Sequence, residues 1–312
     1  MNTILLLGGY GFIGSNIMDF IDRHLSHLYE VILFDKVANH PFGLDFKCVK
    51  KKYFGDFSDI TCLEPILKEN QIDLVFHCIN TTVPSTSYNI RFDIESNLVS
   101  TVNFINLMVE TKIKNIVYLS SGGAIYGNTE GKKIESAPNY PHSSYGIVKL
   151  AIEKYLMLYS YESKINPLIL RLSNPYGPFH YSMKQGILNV ALRSSLEKKQ
   201  FSVWGDGENS KDYIFVEDVI EIIFKLLELK IQNEIINIGS GNLIKVNQIL
   251  ALIKNIYPHF TWNYIQPKTF DVSHFELDIR KLKHIIGNYS FTPIEDGIIK
   301  TNNWIINSSL NC

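Results

Sequence analysis

The sequence predicts an α/β protein: a doubly wound parallel sheet with a smaller C-terminal part intertwined with it. Two observations carry that prediction. Short aliphatic runs, beginning with Ile4-Leu5-Leu6-Leu7, end in glycines or small polar residues, as strands buried on both faces do. Helical segments separate these runs, and strand alternates with helix four times in about 120 residues.

The first run passes straight into Gly8-Gly9-Tyr10-Gly11-Phe12-Ile13-Gly14, after which Ser15 to Phe20 reads as a helix. A tight strand-to-helix turn needs residues without a Cβ where the backbone bends, where it approaches a ligand and where helix meets strand. Gly8, Gly11 and Gly14 stand at those points, and the turn presents free helix N–H groups to a pyrophosphate. A turn with no ligand would look similar. A second buried run, Val31-Ile32-Leu33-Phe34, ends at Asp35, close to the ~20-residue spacing at which an acidic side chain takes the ribose hydroxyls. Aspartate repels a 2′-phosphate, so NAD is expected over NADP, a preference that Lys36 weakens. Gly8, Gly11, Phe12, Ile13, Gly14 and Asp35 are therefore candidate cofactor contacts of a Rossmann-type site.

At 312 residues the chain is long for one compact core, which favours a main domain and a smaller one. The composition, 46% hydrophobic and 20% charged, is that of an ordinary globular protein. A formal charge of −1 with mixed signs gives no indication of a nucleic-acid or anionic-membrane partner. Cys48, Cys62, Cys78 and Cys312 are scattered, which suits buried thiols in a reducing compartment better than disulfides or a zinc site. With a strand beginning within a few residues of Met1 and no long apolar run, the expectation is a cytoplasmic protein without a leader or membrane span.

Along the chain, Asp56 lies in a turn where it could equally be a cap, and Ile60 to Asn70 reads as a helix. Leu74-Val75-Phe76-His77-Cys78 is a strand that empties into the small polar loop Asn80 to Ser87. Asn97 to Thr111 is helical by spacing, and Ile116 to Leu119 is a strand ending in Ser120-Ser121-Gly122-Gly123. Ser143 to Glu162 is a helix with a serine cap whose apolar residues go most of the way round, so it must be covered on two sides. A homodimer in which this helix and the Asn97 helix pair with their symmetry mates would cover it. Leu168 to Leu172 is the next strand; beyond it the elements become shorter and mixed. The expected division is a dinucleotide-binding domain over 1–172, with about 209–240 returning to it, and a mainly substrate-binding domain over 173–312.

Tyr145 and Lys149 share one helix face at i and i+4. A tyrosine acting as base near neutrality must have its pKa lowered from ~10 by about 3, roughly 4 kcal/mol. A neighbouring ammonium, helped by an oxidised nicotinamide, is a plausible source. Any helix can place such a pair by chance, but this one follows four strand-helix units that open with a dinucleotide turn.

These motifs, with Tyr126-Gly127, Arg171-x-x-Asn174-Pro175 and Lys211-Asp212-Tyr213-Ile214-Phe215-Val216-Glu217-Asp218-Val219, resemble the extended short-chain dehydrogenases/reductases over nearly the whole chain. The UDP-glucose 4-epimerase branch of the NAD-dependent epimerase/dehydratase family is the most similar. The resemblance implies that Tyr145 is the base and that Lys149 binds the nicotinamide ribose. It implies that Asp56 meets the adenine, that Phe57 and Tyr176 are further cofactor contacts, and that Asn80 and Asn97 lie along the cofactor side. Asn174 would meet the nucleotide-sugar phosphate and Trp204 its base, unless Trp204 is only a core aromatic. Gln185, Lys211 and Lys268 complete the substrate candidates, the two lysines standing where that branch tends to use arginine.

Family members usually carry Ser or Thr four positions before the tyrosine that here is Tyr126, and this chain has Gly122. Ser121 and Ser120 are the replacement hydroxyls. Sugar 4,6-dehydratases place an Asp-Glu pair just after that hydroxyl; Gly122-Gly123-Ala124 supplies neither, so elimination of water is not expected. The expected activity is inversion of C4 in a nucleotide-activated hexose, a UDP-sugar first, through a transient 4-keto sugar. A 4-ketoreductase with exchangeable NAD(P)H is the alternative, and a cofactor-sensing regulator without catalysis a third.

Overall fold

The computed structural model describes residues 1–128, 131–183, 185–266 and 274–310. Its strands, in chain order, are β1 (Asn2–Leu7), β2 (Tyr29–Asp35), β3 (Val49–Phe54), β4 (Leu74–His77), β5 (Asn115–Ser121), β6 (Asn166–Leu172) and β7 (Asn174–Tyr176). They continue as β8 (Phe201–Trp204), β9 (Ser210–Phe215), β10 (Glu234–Ile238), β11 (Leu243–Lys245), β12 (Trp262–Ile265) and β13 (His274–Phe275).

Seven of these form one parallel sheet in the order β10-β6-β5-β4-β1-β2-β3. Ile4 to Leu7 are fully buried because helices cover both faces. Ile4 and Leu6 pack with the helices Phe12–Phe20 and Val216–Glu228, while Leu5 and Leu7 pack with Ile60–Glu69, Ser100–Glu110 and Ser144–Tyr161. Strand order reverses between β1 and β4. At such a reversal the following connections diverge to opposite faces and leave a crevice beyond the carboxyl ends. Gly8 and Cys78, the residues next after those two strands, lie side by side there, and Cys78 N donates to Leu7 O at 3.0 Å.

The chain leaves the sheet after β6, and a third apolar cluster forms around the helices Ile187–Leu196, Val246–Ile256 and Ile294–Leu310. It comes back with the helix Val216–Glu228 and β10, which pairs with β6. The return starts at Val216 and not near 209, because β9 is held by β7, β11 and β13 in the smaller sheet. The Asn97 helix is longer than its spacing predicts. Helical turns run from Ile90 to Glu110, the middle stretch Ile94–Val99 being wound as a wider π-helix.

Ser143 caps the Ser144–Tyr161 helix as expected, its Oγ accepting from Gly146 N at 3.1 Å. The same helix carries Glu153, which is fully buried and paired with Arg171 of β6 at 2.7 Å. Arg171 also donates to Tyr126 Oη (2.8 Å) and Glu135 O (3.1 Å), and Tyr126 Oη donates to Asn237 Oδ1 of β10 (2.8 Å). Every charge in this cluster is met by an opposite charge or a hydrogen bond, the condition under which a buried pair is tolerated. Glu153→Ala is expected to lower the unfolding free energy in urea by about 3–5 kcal/mol, because it strands a buried guanidinium, and Arg171→Met in the same chain should recover part of that loss.

Candidate active site

The turn after β1 is shaped by backbone contact. Gly8 has φ +77, and a Cβ on Gly14 would lie 2.5 Å from Gly8 O. The helix Phe12–Phe20 starts at Gly11 with no side-chain cap, so its first N–H groups remain available to an anion. Asp35 is fixed at the end of β2, one oxygen accepting from Tyr10 N (2.9 Å) and the other from Val37 N (3.2 Å). Lys36 turns away to pair with Asp56 at 3.0 Å. Ser58 and this lysine hold the Asp56 carboxyl down at about 2. Lys36 is thereby committed to Asp56 and leaves the Asp35 carboxylate unneutralised, an arrangement that suits a ribose diol and repels a 2′-phosphate. These features fit a dinucleotide without a further phosphate.

A cleft of about 870 Å³ opens from this turn and is lined by residues of both parts of the chain. Gly8, Gly11, Phe12, Ile13, Gly14, Asn80, Ser121 and Tyr145 line it from the large sheet, and Asn174, Tyr176, Gln185 and Lys211 from the second part. Asn97 does not line it. Its side chain pins the Asn80 loop instead, accepting from Thr81 N (2.9 Å) and donating to Thr81 Oγ1 (2.6 Å). Phe57 is a core ring packed on His77 and Phe104, since the sheet edge folds it inward. Trp204 lies half-exposed at the end of β8, away from the cleft lining. Lys268 lies outside the described residues.

The two serines at the end of β5 part company because successive side chains on a strand point to opposite faces. Ser120 Oγ is buried without a hydrogen-bond partner, whereas Ser121 lines the cleft together with Tyr145. The glycine at 122 has a packing cause. A Cβ there would sit 2.9 Å from Leu277 Cδ2 and 3.0 Å from Phe275 Cζ, so the returning segment around β13 occupies the space a side chain would need.

Lys149 is buried one helical turn beyond Tyr145, donates to Leu119 O at 2.8 Å, and lies 4.7 Å from the Tyr118 ring centre and 5.9 Å from that of Tyr145. Burial lowers its pKa to about 8, against the opposing pull of Cys78 and Glu153. Burial also pushes the Tyr145 phenol up to about 12, with only the nearby Ser121 hydroxyl acting the other way. The expected lowering of Tyr145 by Lys149 is therefore not produced by this chain alone. Desolvation outweighs the distant ammonium, and the phenolate needs a further positive charge.

On the substrate side Asn174 Nδ2 donates to Asp212 O at 2.8 Å, which leaves its second N–H and its carbonyl oxygen for a ligand. Asp212 is buried and caps the turn after β10, accepting from Ser240 N, Ser240 Oγ and Gly241 N at 2.7 to 3.0 Å. Tyr176 borders the cleft, but its ring packs on Phe215 in the third apolar cluster and its hydroxyl is buried. Among the described residues no Asp or Glu lines the cleft, and its charged or chargeable nitrogen groups are Lys211, His142 and His180. Sequence reasoning missed His142, His180 and Tyr181. They follow no periodic signal, and only the folding of their loops brings them in.

A model of the family described as "NAD dependent epimerase/dehydratase family" matches residues 4–239. The chain belongs to that family. Its cofactor is NAD, and the core of the fold is the Rossmann-type sheet. Over 98% of its length this family member is 30% identical to 99% of a putative UDP-glucose 4-epimerase of Methanocaldococcus jannaschii. It is 28% identical to the dTDP-4-dehydro-6-deoxyglucose reductase of Escherichia coli over 96% of each chain. Its fold superposes on the UDP-glucose 4-epimerase of Thermotoga maritima, solved with UDP-glucose, with a TM-score of 0.91, 28% identity and coverage of 98% and 99% of the two chains.

Turnover of this family member is expected to fall as the pH rises through about 8, where Lys149 loses its proton. A cationic nicotinamide nearby disfavours the ammonium further and moves that limb to lower pH, not higher. Lys149→Met should remove the limb from the pH profile and lower the rate about 100-fold or more.

Proposed function

We propose that the chain is an NAD-dependent epimerase that inverts C4 of a nucleotide-activated hexose, with a UDP-sugar as the first candidate. The observation that carries this reading is the Tyr145–Ser121 pair beside the dinucleotide turn, in a cleft without a lining carboxylate among the described residues. Elimination of water from the sugar would need an acid and a base placed near C5 and C6. An oxidation and re-reduction at one carbon needs neither.

NAD supplies a hydride acceptor and donor next to C4. Tyr145 Oη takes the C4 hydroxyl proton and Ser121 shares it, which orients the sugar. Lys149 keeps a positive charge beneath the ring system while Leu119 O fixes its position. The 4-keto sugar turns in the cleft and presents the opposite face of C4 for the return of the hydride, while Tyr145 gives the proton back to the C4 oxygen. Lys211 and the second N–H of the Asn174 amide, whose first is held by Asp212 O, would serve the diphosphate. The chemistry at C4 leaves no net redox change, so NAD should remain with the purified protein.

Purified protein is expected to interconvert one pair of C4-epimeric UDP-hexoses or UDP-N-acetylhexosamines, assayed by chromatography of the sugar nucleotides. Tyr145→Phe should lose at least about 100-fold in rate while retaining NAD. Conversion of none of these pairs would remove the epimerase reading. The similarity to the Escherichia coli reductase gives the second reading, a 4-ketoreductase with exchangeable cofactor. Substrate-dependent consumption of added NAD(P)H would favour it.

The apolar surface supports a homodimer. Ile90, Phe92, Ile94 and Val99 on one helical stretch are exposed, as are Ile147, Tyr155 and Leu158 on the Ser144–Tyr161 helix, and the two stretches pack together. A continuous patch of this kind is covered when the same surfaces of two chains meet about a two-fold axis. Sedimentation at micromolar concentration should give a dimer, and a monomer would overturn the pairing.

A further inference from the structure

The segment Pro178 to Tyr181 follows β7 and belongs to the second part of the chain, yet it lies across the dinucleotide turn. Asn16 Nδ2 donates to Pro178 O at 2.9 Å and to Phe12 O at 2.8 Å. Tyr181 Oη donates to Tyr10 O at 2.9 Å. Between these hydrogen bonds the His180 ring stacks on Phe12, with centres 4.5 Å apart and planes 27° apart. Phe179 is buried with φ +62, a conformation unfavourable for a bulky side chain. Its ring is held by Trp304 of the last helix (5.2 Å) and by the edge of His40 (6.0 Å), whose own ring bonds Ser15 Oγ (3.1 Å).

The turn is thus gripped at residues 10, 12 and 16 from one side, and Phe12, Phe179, His180 and Tyr181 line the same cleft as the glycines. A dinucleotide resting on the N-terminus of the Phe12–Phe20 helix is enclosed between the turn and this segment. We infer that residues 178–181 are a latch over the dinucleotide site, and that Tyr181 and Asn16 are cofactor-retaining residues that set how fast NAD leaves. The inference rests on NAD as the cofactor and not on which sugar is turned over. Lifting the latch breaks two hydrogen bonds, the His180–Phe12 stack and the edge contacts of Phe179 with His40 and Phe46 and of Tyr181 with Phe42, while the bonds within the large sheet stay intact.

The test loads the purified protein with radiolabelled NAD, adds excess unlabelled NAD and follows the label retained on gel filtration. Tyr181→Phe keeps the ring and removes one hydrogen bond, so exchange should quicken about fivefold. Tyr181→Phe combined with Asn16→Ala should quicken it about 20-fold or more. Tyr257→Phe provides the control. It deletes a hydrogen bond to Asn302 (2.7 Å) in the second part of the chain, off the cleft lining, and should leave exchange within about twofold of the parent. Exchange by the double variant at the parental rate, or equal acceleration by Tyr257→Phe, would overturn the latch. If the double variant does not fold, the Tyr181→Phe rate against the Tyr257→Phe rate decides.

Discussion

The buried ion pair between Glu153 and Arg171 is the constraint on which the rest of the site depends. Glu153 lies one turn beyond Lys149 and two beyond Tyr145 on the same helix, and Arg171 lies on the strand next to the one that ends in Ser121. Holding helix to strand at this point fixes the distance between the phenol and its serine partner. A purely apolar contact would allow the helix to slide by fractions of a turn. A bidentate guanidinium–carboxylate contact does not, since it has a direction as well as a strength. The same guanidinium reaches Tyr126 and, through it, Asn237 of β10, so the strand that returns late in the chain is tied to the helix that carries Tyr145 and Lys149.

The cleft is made by two parts with different tasks. The large sheet provides a reversal of strand order, a glycine turn and an uncapped helix N-terminus, all of which are backbone features. The second part provides side chains: an asparagine whose amide is held by Asp212 O, a lysine and a loop laid over the turn. With no lining carboxylate among the described residues, the cleft favours an anionic ligand and sets no carboxylate beside Tyr145. Burial keeps that tyrosine protonated on its own and keeps Lys149 close to losing its proton. Both shifts have one cause, the low polarity of the space around them. Both charged forms therefore depend on what the cleft holds.

Much of the large sheet was legible because its strands are short aliphatic runs and its turns are glycines, patterns set by local backbone needs. Gly8, Gly14, Asp35, Tyr145 and Lys149 belong to that class. Asn97 was singled out for the right loop, but it acts by pinning Thr81 from behind. Phe57 and Trp204 were less legible: an aromatic residue near a motif has no pattern that tells core from surface, and packing buried Phe57 while leaving Trp204 half-exposed, neither of them lining the cleft. Gly122 looked like a missing hydroxyl, whereas Leu277 and Phe275 fill its place from a segment about 150 residues away in sequence.

By itself the sequence determined the alternation of strand and helix, the dinucleotide turn and the spacing of tyrosine and lysine on one helix face, since each follows from backbone geometry within a few residues. Only the tertiary structure decided which of two adjacent serines shares the cleft with Tyr145, which way the tyrosine and lysine titrate, and that the loop after β7 folds back over the first turn. Those outcomes depend on desolvation and on contacts between segments far apart in the chain, and neither is written into any local stretch of residues.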